Sequence, residues 1–190
     1  MKRVIIVHCW NGTPDYCWYP WVKKQLESKG FEVVVPAMPE TDKPQLLLWL
    51  PKLAEAIGLP DEELYLVGHS IGCATIIRYL EQLPAGKVGG VVLVAGFTDD
   101  LGFEELKNFY QTPLDFAKIR EKSVKGFVNI HSDDDQYVPL VHSQNMQRGL
   151  GGEAIVVPNK GHFSGPVDHE ESCTELPEVV RAVEKLSSGV

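Results

Sequence analysis

The sequence predicts a three-layer α/β/α sandwich built on a mostly parallel, six-stranded sheet. Three observations carry that expectation. Six short runs are nearly continuous in Val, Ile and Leu rather than alternating, the pattern of strands covered on both faces. Helix-length segments separate these runs, and strands that alternate with helices wind into a parallel sheet with helices on both sides. A chain of 190 residues suits one hydrophobic core. Residues 1–190 are therefore read as a single domain, since no repeat, low-complexity tract or linker-like stretch interrupts them.

The first strand is "RVIIVHC", followed by a helix over 18–29 whose end at Gly30 suits a left-handed C-cap. "FEVVVP" is the second strand, with a helix over 44–57 after it. "LYLVGH" leads through a turn into a helix over 71–83. "GGVVLVAG" is followed by "FTDDLGFEELKNFYQTPLDFAK", longer than a strand-to-helix connection needs; it reads either as a cover over a site at the sheet's carboxyl edge or as an ordinary surface loop with a short helix. A helix over 113–122, the strand "GFVNIHS", a helix over 140–150, the strand "EAIVVP" and a last helix near 175–187 complete the chain.

Composition excludes several classes. A net charge of −8 argues against nucleic acid as partner, because such domains carry a basic face. No apolar run reaches the length of a membrane span. The N-terminal "MKRVIIVHCW" lacks the long apolar run and small-residue cleavage site of a signal peptide. Cys9, Cys17, Cys73 and Cys173 have no metal-ligand spacing and read as reduced thiols, so a cytoplasmic location is expected.

Ligands of an open parallel sheet bind outside the carboxyl ends of its strands, and the reactive residue types fall there. Gly68-His69-Ser70-Ile71-Gly72 fits G-x-S-x-G between a predicted strand and a predicted helix, the setting that this motif requires. A sharp turn there strains the serine backbone, and side chains at the flanking glycines would meet neighbouring backbone. Ser70 is thereby the candidate nucleophile, and the amide of Ile71 at the helix start faces a developing oxyanion. The bland alternative is an incidental turn serine.

The base is read as His162, in the loop "PNKGHFSG" directly after the last strand, because the order serine, acid, histidine suits this architecture. His169 is the fallback, and His69 is read as structural. Among Asp133, Asp134 and Asp135, Asp135 is favoured as the residue that orients the base, with its neighbours available as turn caps. Asp99 and Asp100 are the weaker alternative. A second oxyanion amide is expected from "HCWNGTP" after the first strand, with Trp10 first and Asn11 next. Trp18, Tyr19 and Trp21 are read mainly as core, and Cys9 and Cys73 as inert apolar residues.

Together, "GHSIG", "SDDDQYVP" and "KGHF" resemble the α/β-hydrolase superfamily, in particular its small lidless serine hydrolases of the retinoblastoma-binding-protein-9-like and YdeN-like type. "WYPWVKKQL", "MPETDKP", "LWLP" and "DLGFEELKNFY" extend the likeness over essentially the whole chain. The resemblance implies a compact α/β-hydrolase fold, with nucleophile, acid and base at Ser70, Asp135 and His162. It also implies hydrolysis of small-molecule esters or amides without metal or organic cofactor. Two departures stand out. Cys9 occupies a position where the superfamily usually has glycine. "ESCTE" has Glu171 where a retinoblastoma-binding motif needs leucine, so that partner is not carried over. The rival readings are a binding or scaffolding protein with a vestigial triad, and an acyltransferase.

Overall fold

The computed structural model describes residues 1–188. β1 (Arg3–Val7), β2 (Glu32–Val34), β3 (Leu64–His69), β4 (Gly90–Val94), β5 (Phe127–Ser132) and β6 (Glu153–Val157) form one sheet in the order β2-β1-β3-β4-β5-β6. All five pairings are parallel, so the expectation of a mostly parallel sheet is met without exception. β2 is shorter than its apolar run because Pro36, which lacks an N–H, closes it at the sheet's edge.

The strands read as uninterrupted apolar runs because helices bury both faces. On one face lie α1 (Tyr19–Glu27) and α6 (Pro177–Ser188), packing Tyr19, Val22, Leu26, Val179 and Val183 against Val4, Ile6, Tyr65 and Val67. On the other lie α2 (Leu46–Ile57), α3 (Ile71–Gln82), α4 (Phe116–Arg120) and α5 (Val141–Leu150), with Trp49, Ile76 and Met146 set against Ile5, Val7 and Leu66. Successive strand residues alternate between these two cores, as the pleat requires. Among the described residues no helix is long and apolar enough to cross a membrane.

The segment after β4 departs from its expected outline. Residues Glu104–Phe109 form a 3₁₀ helix, and α4 is only five residues long, starting where the Asp115 side chain accepts from the Lys118 amide. Arg78 holds this segment to α3 by donating through Nε to the Phe109 carbonyl at 2.7 Å.

β1 and β3 are neighbours, while the chain leaves β1 for β2 on the other side. Their carboxyl ends therefore flank the point where strand order reverses, the place where such sheets open a crevice.

Candidate active site

Ser70 sits between the end of β3 and the start of α3 with φ 55° and ψ −120°. This left-handed backbone is rare for a residue with a Cβ and lifts the side chain out of the sheet. The flanking glycines follow from close approach. A Cβ at Gly68 would lie 2.8 Å from the Cys73 backbone nitrogen, and one at Gly72 only 2.2 Å from the Val7 carbonyl oxygen. The Ser70 amide donates to the Val94 carbonyl at 2.9 Å, fixing the turn against β4.

Two residues distant in sequence meet this hydroxyl. Ser70 Oγ lies 2.8 Å from His162 Nε2, and His162 Nδ1 lies 2.9 and 3.1 Å from the two carboxylate oxygens of Asp135. A carboxylate only accepts, so Nδ1 carries a proton and Nε2 is left to accept from the serine. Burial alone would pull the His162 pKa down. The hydrogen bond and charge of Asp135, with the charges of Asp168 and Glu170, outweigh it and raise the imidazole above its ordinary 6.5. Asp135 moves the opposite way: burial favours its neutral form. His162 and the amides of Val138 and Tyr137 overcome that and hold the carboxyl below its usual range.

All three consecutive aspartates are occupied. Asp135 Oδ1 accepts from the amides of Tyr137 and Val138 at 2.9 Å each, which sets its carboxylate toward His162. Asp133 accepts from the Asn159 amide at 2.9 Å and Asp134 from the Gly161 amide at 2.8 Å. Both aspartates cap the loop after β6, and Asp134 also accepts from the Ser132 hydroxyl of its own turn at 2.6 Å. Glu170 completes the clamp by accepting from the His162 amide at 2.7 Å. Sequence reading missed these roles. The signal was the adjacency of β5 and β6, which places their following loops side by side.

The alternatives lie elsewhere. Asp99 and Asp100 each accept from an amide of their own turn, at Leu101 and Gly102. His169 is exposed, in a left-handed turn. His69 is fully buried and bonds the Tyr19 hydroxyl through Nδ1 and the His162 carbonyl through Nε2.

A cavity of about 260 Å³ opens above Ser70. Its apolar wall comes from Trp10, Phe97, Leu101, Phe103, Leu106 and Tyr137, so the long segment after β4 does border the site. Glu105 and Asp168 are the carboxylates on its lining. Trp18 and Tyr19 are buried in the α1 core. In the loop after β1, the Cys9 amide donates to the Tyr19 hydroxyl and the Asn11 amide to the Thr41 carbonyl. The Asn11 amide is thus already engaged. The Cys9 side chain is accommodated in the core, and burial pushes its thiol up to about 12. Burial holds the Cys73 thiol well above its usual range too, which leaves both protonated at neutral pH.

A parallel sheet with a serine on a strained turn after a central strand, and a histidine in reach from the last loop, defines an α/β-hydrolase architecture. Residues 4–185 match the serine hydrolase family, and the chain belongs to that family. It is 36% identical over 178 residues to YdeN of Bacillus subtilis (strain 168), covering 93% of this chain and 91% of that one. It is 28% identical over 182 residues to the serine hydrolase RBBP9 of Rattus norvegicus, covering 93% and 91%. The crystal structure of the B. subtilis ydeN gene product superposes with a TM-score of 0.91 at 33% identity, covering 99% of this chain and 100% of that one. Est1E of Butyrivibrio proteoclasticus shares the fold, with a TM-score of 0.74 at 16% identity, covering 100% of this chain and 89% of that one.

Proposed function

We propose that this serine hydrolase cleaves small carboxylic esters or amides through Ser70, His162 and Asp135. The observation that carries this reading is the unbroken hydrogen-bond chain from Asp135 through His162 to Ser70 Oγ at the floor of the cavity. His162 takes the serine proton as Oγ attacks the substrate carbonyl, and Asp135 stabilises the imidazolium that results. The oxyanion is met by the Ile71 amide at the start of α3 and by the Trp10 amide. Engagement of the amides on either side of Trp10 supports that choice. One such donor contributes about 3 kcal/mol to transition-state stabilisation. His162 then returns its proton to the leaving group and activates the water that clears the acyl-enzyme. The thiols, unpaired among the described residues, suit a cytoplasmic setting.

A fluorophosphonate probe tests the nucleophile. Labelling of the folded wild type that disappears in Ser70→Ala is the expected result. A folded wild type that takes no label would sink the hydrolase reading and favour a binding protein. Product analysis with a competing alcohol or amine separates hydrolysis from acyl transfer.

The pH dependence follows from the raised His162 pKa. The protonated ring cannot accept the serine proton, so activity lies on the alkaline side of that pKa. kcat/KM is expected to rise along one limb whose midpoint exceeds 6.5. A midpoint below that value in a stopped-assay pH series would contradict the geometry.

Cavity size sets the acyl group. A volume of about 260 Å³ lies below the roughly 300–1,000 Å³ of sites that take drug-sized ligands. In a panel of p-nitrophenyl esters of increasing length run beside aminoacyl amides, kcat/KM should peak at short, neutral acyl chains. A peak at long chains would count against this assignment.

A further inference from the structure

We infer that Tyr19 and His69 are positioning residues, joining the backbone of His162 to the loop that carries Trp10 through one directed chain of hydrogen bonds. The inference deepens the reading of Ser70, His162 and Trp10 given above and rests on it.

The direction of every bond is fixed by elementary chemistry. A carbonyl oxygen only accepts, so the 2.7 Å contact with the His162 carbonyl puts a proton on His69 Nε2. Burial, aided by the nearby His162, pulls the His69 pKa down to about 3, so the ring is neutral and Nδ1 is bare. The Tyr19 hydroxyl, 2.6 Å away, must then donate to Nδ1. Its oxygen lone pairs remain for the Cys9 amide at 3.0 Å. The chain therefore runs from Cys9 N–H to Tyr19 Oη, from Tyr19 O–H to His69 Nδ1, and from His69 Nε2–H to the His162 carbonyl. Its side chains, Tyr19 and His69, are both 0% exposed, so water does not compete for these bonds.

What the chain joins gives it a role. Cys9 immediately precedes Trp10, His69 immediately precedes Ser70, and His162 is the base. Three loops that converge from β1, β3 and β6 are tied one residue away from, or at, the groups that must keep their spacing through the reaction. The His162 side chain is held by Asp135, and its amide by Glu170; His69 holds the remaining backbone group, the carbonyl. With backbone on both sides of the imidazole restrained, Nε2 stays aimed at Ser70.

Tyr19→Phe removes one hydroxyl and little volume. With p-nitrophenyl acetate as probe, kcat is expected to fall between about 10-fold and 100-fold, the size of effect that a misplacement near 1 Å produces. KM should stay within about twofold, because no group that contacts substrate is altered. Tyr65→Phe, a buried tyrosine at the opposite end of β3, serves as control and should leave kcat unchanged. In the wild type, ¹⁵N NMR of His69 should show a protonated Nε2, a bare Nδ1 and no titration across about pH 5 to 9. A folded Tyr19→Phe protein with wild-type kcat overturns the inference, as does a His69 carrying its proton on Nδ1. Should Tyr19→Phe fail to fold, the His69 resonances of the wild type decide alone. Fluorophosphonate labelling of Ser70 is read separately, so the positioning role can fail while the hydrolase reading stands.

Discussion

Asp135→Asn is expected to lower kcat about 10⁴-fold while leaving the fold intact. The reason lies in how the carboxylate is held. Oδ1 accepts from two backbone amides, Tyr137 and Val138, and those bonds require an oxygen. In the variant the amide oxygen therefore keeps that position and the nitrogen takes the place of Oδ2, which faces His162 Nδ1 at 2.9 Å. An N–H opposite Nδ1 forces the ring into the tautomer with its proton on Nε2, pointed at the serine oxygen. That ring cannot take a proton from Ser70. Steady-state kinetics and a thermal melt check the prediction. A loss smaller than about tenfold in a protein of unchanged Tm would remove Asp135 from the mechanism.

Gly72→Ala is expected to be the most damaging single methyl addition near the site. Its Cβ would stand 2.2 Å from the Val7 carbonyl oxygen and 2.9 Å from that of His8, both backbone atoms of the strand end beside β3. Neither can rotate aside. Relief requires the start of α3 to move off β1, against a core in which Val7, Ile71 and Cys73 are all buried. Overpacking of this kind lies at the upper end of its usual range, about 3 kcal/mol. For a chain of this size that corresponds to a fall in Tm of roughly 6–12 °C. The same displacement widens the gap between the Ile71 amide and the loop after β1, so kcat should fall as well. A melt within about 2 °C of wild type would show that the helix start yields to the added methyl and overturn this prediction.

The fold was readable because burial on both faces writes itself into a parallel strand as unbroken Val, Ile and Leu. The edge strand was overestimated at β2, where the apolar run outlasts the ladder and Pro36 ends it. Boundaries failed where local rules were weak. The helix expected over 113–122 is confined to Phe116–Arg120, since the capping Asp115 starts it three residues late. Ser70 was legible because its turn needs small neighbours at fixed offsets, which one pentapeptide displays. For His162 and Asp135 the sequence offers chain order, loop position and the family resemblance, and the structure sets His162 against Ser70 and Asp135 against His162. Tyr19 was not legible. Its bond to His69 spans 50 residues, and its spacing on α1 is that of any core aromatic. The parts played by Asp133 and Asp134 were hidden for the same reason, as each serves the loop supplied by β6, while Glu170 folds back on His162 within its own loop.

The left-handed backbone at Ser70 has a consequence for how this molecule could change over time. An L-residue sits there against its own conformational preference, at a point where glycine would be relaxed. Stability alone favours glycine at this position, and the proposed chemistry is what requires the hydroxyl. A descendant that no longer needed that chemistry would gain ruggedness by exchanging this one residue for glycine.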